Sequence, residues 1–229
     1  MKVLGLLGGM SWESTVEYYR LINEETRACL GGLHSAPLLL WSVDFAEIEA
    51  LQVAGRWEEA GSQLAEAARA LETAGAELLV LCTNTMHKVA GAIESSVQIP
   101  LVHIVDSVAE AVAAAGVKPV GLLGTRFTMD EPFWAHRMAG HGIGVLVPEA
   151  DDCEIVHRII YDELCLGVFT DESRAAFVEV IEKLADAGAE GVVLGCTEIE
   201  LLVRPGDTDV PVFPSTALHV RSAVRAALR

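Results

Sequence analysis

Two cysteines, each followed by threonine, have the residue type and the spacing to do chemistry. Cys82-Thr83 and Cys196-Thr197 lie 114 residues apart. Each pair follows an apolar run and precedes a helical pattern, so each thiol is expected at the carboxyl end of a strand. A thiol with a pKa of about 8.5 exchanges protons near neutral pH after modest tuning, and the N-terminus of a following helix favours the thiolate. The two thiols therefore have the properties of an acid/base pair.

The cysteines belong to a longer internal repeat. Three further motifs recur in the same order at nearly the same spacing. They are Gly5-Leu6-Leu7-Gly8 with Gly121-Leu122-Leu123-Gly124 (116 residues apart), Ala74-Gly75-Ala76-Glu77 with Ala187-Gly188-Ala189-Glu190 (113 residues), and Ile99-Pro100-Leu101 with Val210-Pro211-Val212 (111 residues). Four matches in one order indicate a duplicated unit.

Short apolar runs alternate with helical patterns, such as those over Ala60 to Leu71 and Ala176 to Leu184. The runs are Val3 to Leu7, Leu38 to Val43, Leu78 to Leu81, Leu101 to Val105, Val120 to Leu123, Ile143 to Val147, Val192 to Leu194 and Val210 to Phe213. This alternation predicts βαβ crossovers. We therefore expect an α/β fold with two pseudo-symmetric lobes, each a roughly four-stranded, mainly parallel sheet flanked by helices. Residues 1–105 plus 215–229 would form lobe one, and residues 106–214 lobe two.

Open parallel sheets bind ligands outside the carboxyl ends of their strands. If the lobes face each other, Cys82 and Cys196 approach one ligand from opposite sides of a site between the lobes. This arrangement suits racemisation, because one group can remove the α-proton while another returns a proton to the opposite face. His87, on the helix after Cys82, either tunes that thiolate or makes a structural hydrogen bond.

Composition excludes several classes of partner. The 229 residues are 52% hydrophobic and carry a formal charge of −17 without a basic cluster, so neither nucleic acid nor a membrane surface is an expected partner. The five cysteines are expected as free thiols, and no spacing typical of a metal site occurs. The first apolar run is too short for a signal peptide, so we expect a cytoplasmic protein.

Several motifs together resemble the aspartate/glutamate racemase family. They are Gly8-Gly9-Met10-Ser11-Trp12-Glu13-Ser14-Thr15, Cys82-Thr83-Asn84-Thr85-Met86-His87-Lys88, Leu122-Leu123-Gly124-Thr125, the Tyr161 to Gly167 helix and Gly195-Cys196-Thr197-Glu198. The chain is similar to the aspartate racemase branch, because glutamate racemases usually carry His where Glu198 stands.

The resemblance implies a cofactor-independent amino-acid racemase that forms a homodimer and uses Cys82 and Cys196 for proton transfer. It also implies that Cys196 serves the L-enantiomer. Other residues would hold the amino-acid substrate. These are Met10 or Ser11, Thr83, Asn84, Thr85, Thr125 and Thr197.

Two cations that bind the distal carboxylate in aspartate racemases are missing. Gln52 lies in the loop where Arg is expected, with Arg56 the nearest cation, and Cys165 or Leu166 replaces Lys. Gln52 still offers a hydrogen-bond donor, so we include it among the substrate-binding residues. Selectivity for a second carboxylate should weaken, which leaves aspartate, glutamate and neutral amino acids as candidates.

Other functions fit the same features. One group of alternatives is a related Cys-dependent isomerase, a hydantoin racemase or a decarboxylase on the same scaffold. A different class is a two-lobed amino-acid-binding module without catalysis.

Overall fold

The structure is a computed structural model that describes residues 1–204 and 206–229. Within this described part lie eight strands, one at each apolar run of the sequence. They are β1 (Leu4–Gly8), β2 (Leu38–Ser42), β3 (Leu78–Leu81), β4 (Leu101–Val102), β5 (Val120–Leu123), β6 (Val145–Leu146), β7 (Gly191–Leu194) and β8 (Val212–Pro214).

Helices separate the strands and cover the sheets. The helices are α1 (Trp12–Leu30), α2 (Phe45–Val53), α3 (Trp57–Thr73), α4 (Ala90–Glu94), α5 (Ile104–Ala115), α6 (Arg126–Met129), α7 (Phe133–Gly140), α8 (Ala150–Asp162), α9 (Asp171–Asp186), α10 (Thr197–Leu202) and α11 (Ser215–Leu228), with 3₁₀ helices at Thr85–Val89 and Leu164–Leu166. No helix within residues 1–204 and 206–229 has the length and apolarity to cross a membrane.

The chain forms two compact units. Unit 1 comprises residues 1–104 and 219–229, and unit 2 comprises residues 105–218. Unit 1 contains the parallel sheet β2-β1-β3-β4, and unit 2 contains the parallel sheet β6-β5-β7-β8. The two strand orders are the same, and the predicted α/β class with four-stranded parallel sheets is confirmed.

The repeated Ala-Gly-Ala-Glu motif ends a helix and starts a strand in each unit. Gly75 (φ 103°) and Gly188 (φ 104°) adopt the positive φ that stops α3 and α9 at low steric cost. The glutamate side chains then accept backbone N–H groups, Glu77 from Val3 at 2.8 Å and Glu190 from Lys118 at 2.7 Å. The motif recurs because each unit needs the same helix-to-strand turn.

Helices cover both faces of the unit 1 sheet, whose strands β1 and β3 are buried. One face packs against α2, α3 and α4 through residues such as Leu7 and Leu81. The other face packs against α1 and α11 through Leu4, Leu6 and Val80. Because successive strand residues point to opposite faces, the residue after β3 shares the α1/α11 side with Val80. That residue is Cys82.

Candidate active site

Cys82 lies inside the core of unit 1. Its side chain is fully buried in the cluster that contains Tyr18, Val80 and Val220. Its Sγ donates to the Val80 carbonyl at 3.7 Å, and burial raises the pKa of the thiol well above its ordinary value. The structure therefore gives Cys82 the environment of a core residue, and its predicted catalytic role stays a prediction.

Thr83 stands at the surface end of the same strand. It is partly exposed, whereas Cys82 before it and Asn84 after it are buried. Its backbone is held on both sides: the Thr83 N–H donates to the Leu81 carbonyl at 2.9 Å, and its own carbonyl accepts from His87 Nδ1 at 2.7 Å. The partly exposed residue at the end of β3 is thus Thr83 rather than Cys82.

Cys196 occupies the corresponding end of β7. It is partly exposed and forms the N-cap of α10, and its Sγ donates to Oε2 of the buried Glu198 at 2.9 Å. Burial and the Glu198 charge both raise the pKa of the Cys196 thiol, and so does the neighbouring Cys165. The resting group is therefore a protonated thiol with a carboxylate beside it. The sequence analysis gave Glu198 no chemical role. The signal for one was a glutamate two residues after the cysteine, in the first turn of the following helix.

The strand registers identify the positions that correspond between the units. Leu7 pairs with Leu81 in unit 1, and Leu123 pairs with Leu194 in unit 2. Counting on from these equivalent ends, Cys196 in unit 2 corresponds to Thr83 in unit 1, and Gly195 corresponds to Cys82. The pattern of exposure supports this correspondence, because Thr83 and Cys196 are each partly exposed and flanked by buried residues. The sequence comparison of the two Cys-Thr pairs is therefore one residue out of register.

The predicted substrate-binding residues divide between strand-end and buried positions. Ser11 caps α1 by accepting from the Ser14 N–H at 3.3 Å, and Met10 beside it is buried. Thr125 caps α6 after β5 and is partly exposed. All three follow the first strand of their unit, where the sequence placed them.

The other predicted contacts are mostly buried. Asn84 and Thr85 follow Thr83 with little exposure. Thr197 is buried too, with its hydroxyl 3.0 Å from that of Thr216 on α11. Gln52 is 4% exposed, and its Nε2 donates to Met86 Sδ at 3.0 Å. In this structure the Gln52 amide points into unit 1.

The structure shows which side chains lie at or near the positions where aspartate racemases carry the two distal cations. Arg56 is exposed and forms an ion pair with Glu59 on α3. Cys165 packs against the core of unit 2, and Leu166 is exposed. Lys88, a few residues after Thr83, lies 3.9 Å from the centroid of the Trp57 ring. The weakened selectivity for a second carboxylate stays a prediction.

A buried cluster of three histidines in unit 1 was not recognised from the sequence. The His87 ring lies 4.5 Å from that of His103 and 5.6 Å from that of His219, centroid to centroid. His219 Nε2 donates to the Val102 carbonyl at 2.8 Å, and its Nδ1 accepts from the Tyr18 hydroxyl at 2.9 Å. A neutral ring with its proton on Nε2 makes both contacts. The three histidines come from distant parts of the chain, so local sequence patterns do not predict the cluster.

We expect this cluster to make the stability of the protein sensitive to acid. Burial lowers the pKa of His219 from 6.5 to about 4. A base with a depressed folded-state pKa contributes stability above its unfolded pKa, and that stability is lost as the pH falls from about 6.5 towards 4. The shift corresponds to at most about 3 kcal/mol. Denaturant unfolding at pH 8 and pH 4.5 should show the loss, and His219→Gln should remove most of the pH dependence. An equal pH dependence in the variant and the wild type would contradict this origin.

Each unit thus carries a partly exposed residue just beyond an inner strand of its sheet, Thr83 after β3 and Cys196 after β7. Two α/β units with the same order of parallel strands define the class of protein. The family model described as Asp/Glu/Hydantoin racemase matches residues 7–223. The chain belongs to this family.

Solved structures of relatives agree over the full length. The chain is similar to a proposed Asp/Glu racemase from Yersinia pestis, with 53% identity, a TM-score of 0.93 and complete coverage of both chains. It is also similar to an aspartate racemase homologue from Pyrococcus horikoshii OT3, with 37% identity, a TM-score of 0.89 and complete coverage of both. The glutamate racemase of Aquifex pyrophilus has the same fold at 17% identity, a TM-score of 0.64 and coverage of 97% of this chain and 82% of that one.

Curated relatives match over shorter segments. Glutamate racemase from Deinococcus radiodurans is 31% identical over 136 residues, which cover 56% of this chain and 46% of the relative. The match to the enzyme from Treponema pallidum covers 44% of its length. The chain thus aligns with less than half of these curated relatives. Family membership supports an isomerase of the racemase type.

Proposed function

We propose that this protein racemises an amino acid by moving a proton at the α-carbon without an organic cofactor. The observation that carries the proposal is the thiol of Cys196, a partly exposed residue at a strand end, which donates to the buried Glu198. As Cys196 takes the α-proton, its own proton passes to Glu198, which leaves a thiol and a carboxylic acid beside a carbanion. In the reverse direction the thiol returns its proton to the carbanion, and Glu198 releases the one it held.

The second proton-transfer group comes from the end of β3, by this proposal. Cys82 is the sequence's candidate, and a pair of cysteines remains the mechanism that the family resemblance implies. The strand register and the partial exposure of Thr83 instead support its hydroxyl as the second proton-transfer group. A hydroxyl can donate to a carbanion, and the alkoxide that this leaves regains its proton from solvent, but a hydroxyl is a poor base near neutral pH. With Thr83 in this role, we expect kcat to differ between the two enantiomers, with KM differing in the same proportion because the equilibrium constant of racemisation is 1.

The substrate we propose is aspartate or an amino acid of similar size, because one full-length relative is described as an aspartate racemase homologue. The hydroxyl and amide side chains near the strand ends would hold its α-carboxylate and amino group. Weak selectivity for a second carboxylate follows from the ion-paired Arg56 and the thiol at Cys165. A hydantoin is the second candidate, since the matching family includes hydantoin racemases and a hydantoin needs no distal cation.

A racemisation screen tests the proposed function. Both enantiomers of the common amino acids and of 5-substituted hydantoins are incubated with purified protein, without pyridoxal phosphate and with EDTA. We expect turnover of an amino acid under these conditions, with inactivation by iodoacetamide and protection by excess substrate. Turnover of hydantoins alone would favour the second candidate. Binding of an amino acid without any turnover would favour the non-catalytic binding module.

A further inference from the structure

His87 joins the end of β3 to the start of α5. Its Nδ1 lies 2.7 Å from the Thr83 carbonyl, and its Nε2 lies 3.2 Å from the Ile104 N–H. The ring is 3% exposed and packs edge-on against His103 and His219. Both of its nitrogens are therefore engaged by the backbone of unit 1.

The two contacts determine the protonation state of the His87 ring. A carbonyl accepts only from an N–H, so Nδ1 carries the proton. The Ile104 N–H donates, so Nε2 must offer its lone pair. The ring is thus the neutral Nδ1–H tautomer, and a doubly protonated ring would lose the bond to Ile104.

Unit 2 repeats one of these two contacts. Counting from the equivalent strand ends, Glu200 corresponds to His87. Glu200 Oε1 accepts from the Thr216 N–H at 2.6 Å, at the start of α11. His87 accepts from Ile104 at the start of α5 in the same way. Acceptance from the helix start is therefore the shared structural role, whereas donation to the strand-end carbonyl is specific to His87.

The specific contact acts on Thr83. The Thr83 N–H donates to the Leu81 carbonyl, and the Thr83 carbonyl accepts from His87. Rotation of this backbone would therefore break a hydrogen bond. We propose that His87 is a positioning residue, whose Nδ1–H holds the Thr83 carbonyl and so fixes the backbone from which the Thr83 hydroxyl transfers a proton. This inference rests on the proposed function, because it assigns the hydroxyl a reaction to perform.

Two amide substitutions separate the contacts of His87. Asn places its amide nitrogen near the position of Nδ1, so His87→Asn keeps a donor for Thr83 and loses the acceptor for Ile104. Gln reaches the position of Nε2, so His87→Gln keeps an acceptor for Ile104 and loses the donor. We expect His87→Gln to lower kcat about 10²-fold with little change in KM, because misplacing a reacting group by about 1 Å costs that much. His87→Asn should retain kcat within a few-fold, even where its melting temperature falls.

The opposite pattern, with kcat kept in His87→Gln and lost in His87→Asn, would overturn the inference, and so would equal losses or no loss in both variants. Should either variant fail to fold, ¹⁵N NMR of the wild-type ring at pH 7 decides. A protonated Nδ1 is expected, and a protonated Nε2 would overturn the assignment. Wild-type protein without turnover would refute the proposed function instead. The ¹⁵N spectrum and the ¹³C shift of the Thr83 carbonyl in His87→Gln would then still report whether His87 holds that carbonyl.

Discussion

Cys196→Ser should lower racemase activity about 10²–10⁴-fold, the range that a positioned acid/base group contributes. Serine keeps a donor to Glu198, so the local hydrogen bond and the fold are preserved. Its hydroxyl is far less acidic than a thiol, however, and it cannot serve as a base near neutral pH. Initial rates measured by chiral chromatography for both enantiomers provide the test.

Cys29→Ser is the matched control for this substitution. Cys29 is exposed on α1, and its thiol lies 3.9 Å from Glu25, so it too has a carboxylate neighbour. Its replacement should leave activity within a few-fold of the wild type. Wild-type activity in Cys196→Ser would remove the thiol from the mechanism, and an equal loss in Cys29→Ser would point to a general effect of thiol removal.

The second large effect distinguishes Thr83 from Cys82. Thr83→Val removes the hydroxyl but keeps the shape of the side chain, and we expect it to lower kcat about 10²–10⁴-fold. Cys82→Ala removes a thiol that is buried in the core, so it should lower the free energy of unfolding by about 1 kcal/mol and leave kcat within a few-fold. Steady-state kinetics and denaturant unfolding of both variants give the comparison.

The reverse outcome would restore the sequence's first candidate. If Cys82→Ala abolished turnover while Thr83→Val stayed active, the thiol would be the reacting group and the side-chain orientation at the end of β3 would differ during catalysis. Loss in both variants with intact folding would mean that the two neighbouring residues act together.

Most of the architecture could be predicted from local patterns. Apolar runs marked each strand, and the repeated motifs predicted two similar, roughly four-stranded parallel sheets. Cys196 was predicted at a strand end, where it lies. These features depend on near neighbours in the chain, on periodicity and on turn residues such as Gly75 and Gly188, so one sequence is enough to find them.

The register at the end of β3 could not be predicted in the same way. The matching Cys-Thr pairs suggested a spacing of 114 residues, whereas the strand ends Leu81 and Leu194 are 113 residues apart. A shift of one residue moves a strand side chain to the other face of the sheet. That shift places Cys82 in the core and Thr83 at the partly exposed end.

The remaining differences arise from contacts between distant segments. The prediction that Gln52 faces a substrate did not anticipate Met86, which lies on a separate element and accepts its amide N–H. The bonds of His219 to Tyr18 and Val102 likewise join segments far apart in sequence. Such contacts need the tertiary structure.

Proton transfer between two opposed groups is most directly tested by isotope incorporation in D₂O. Each enantiomer of the best substrate is incubated separately, and α-deuterium is measured at low conversion in both the product and the recovered substrate. Two opposed groups predict that the product carries solvent deuterium at the α-carbon while the recovered substrate remains unlabelled. Product that retains the original α-hydrogen would show that one group both removes and returns the proton, which would contradict the mechanism proposed for Cys196 and the end of β3.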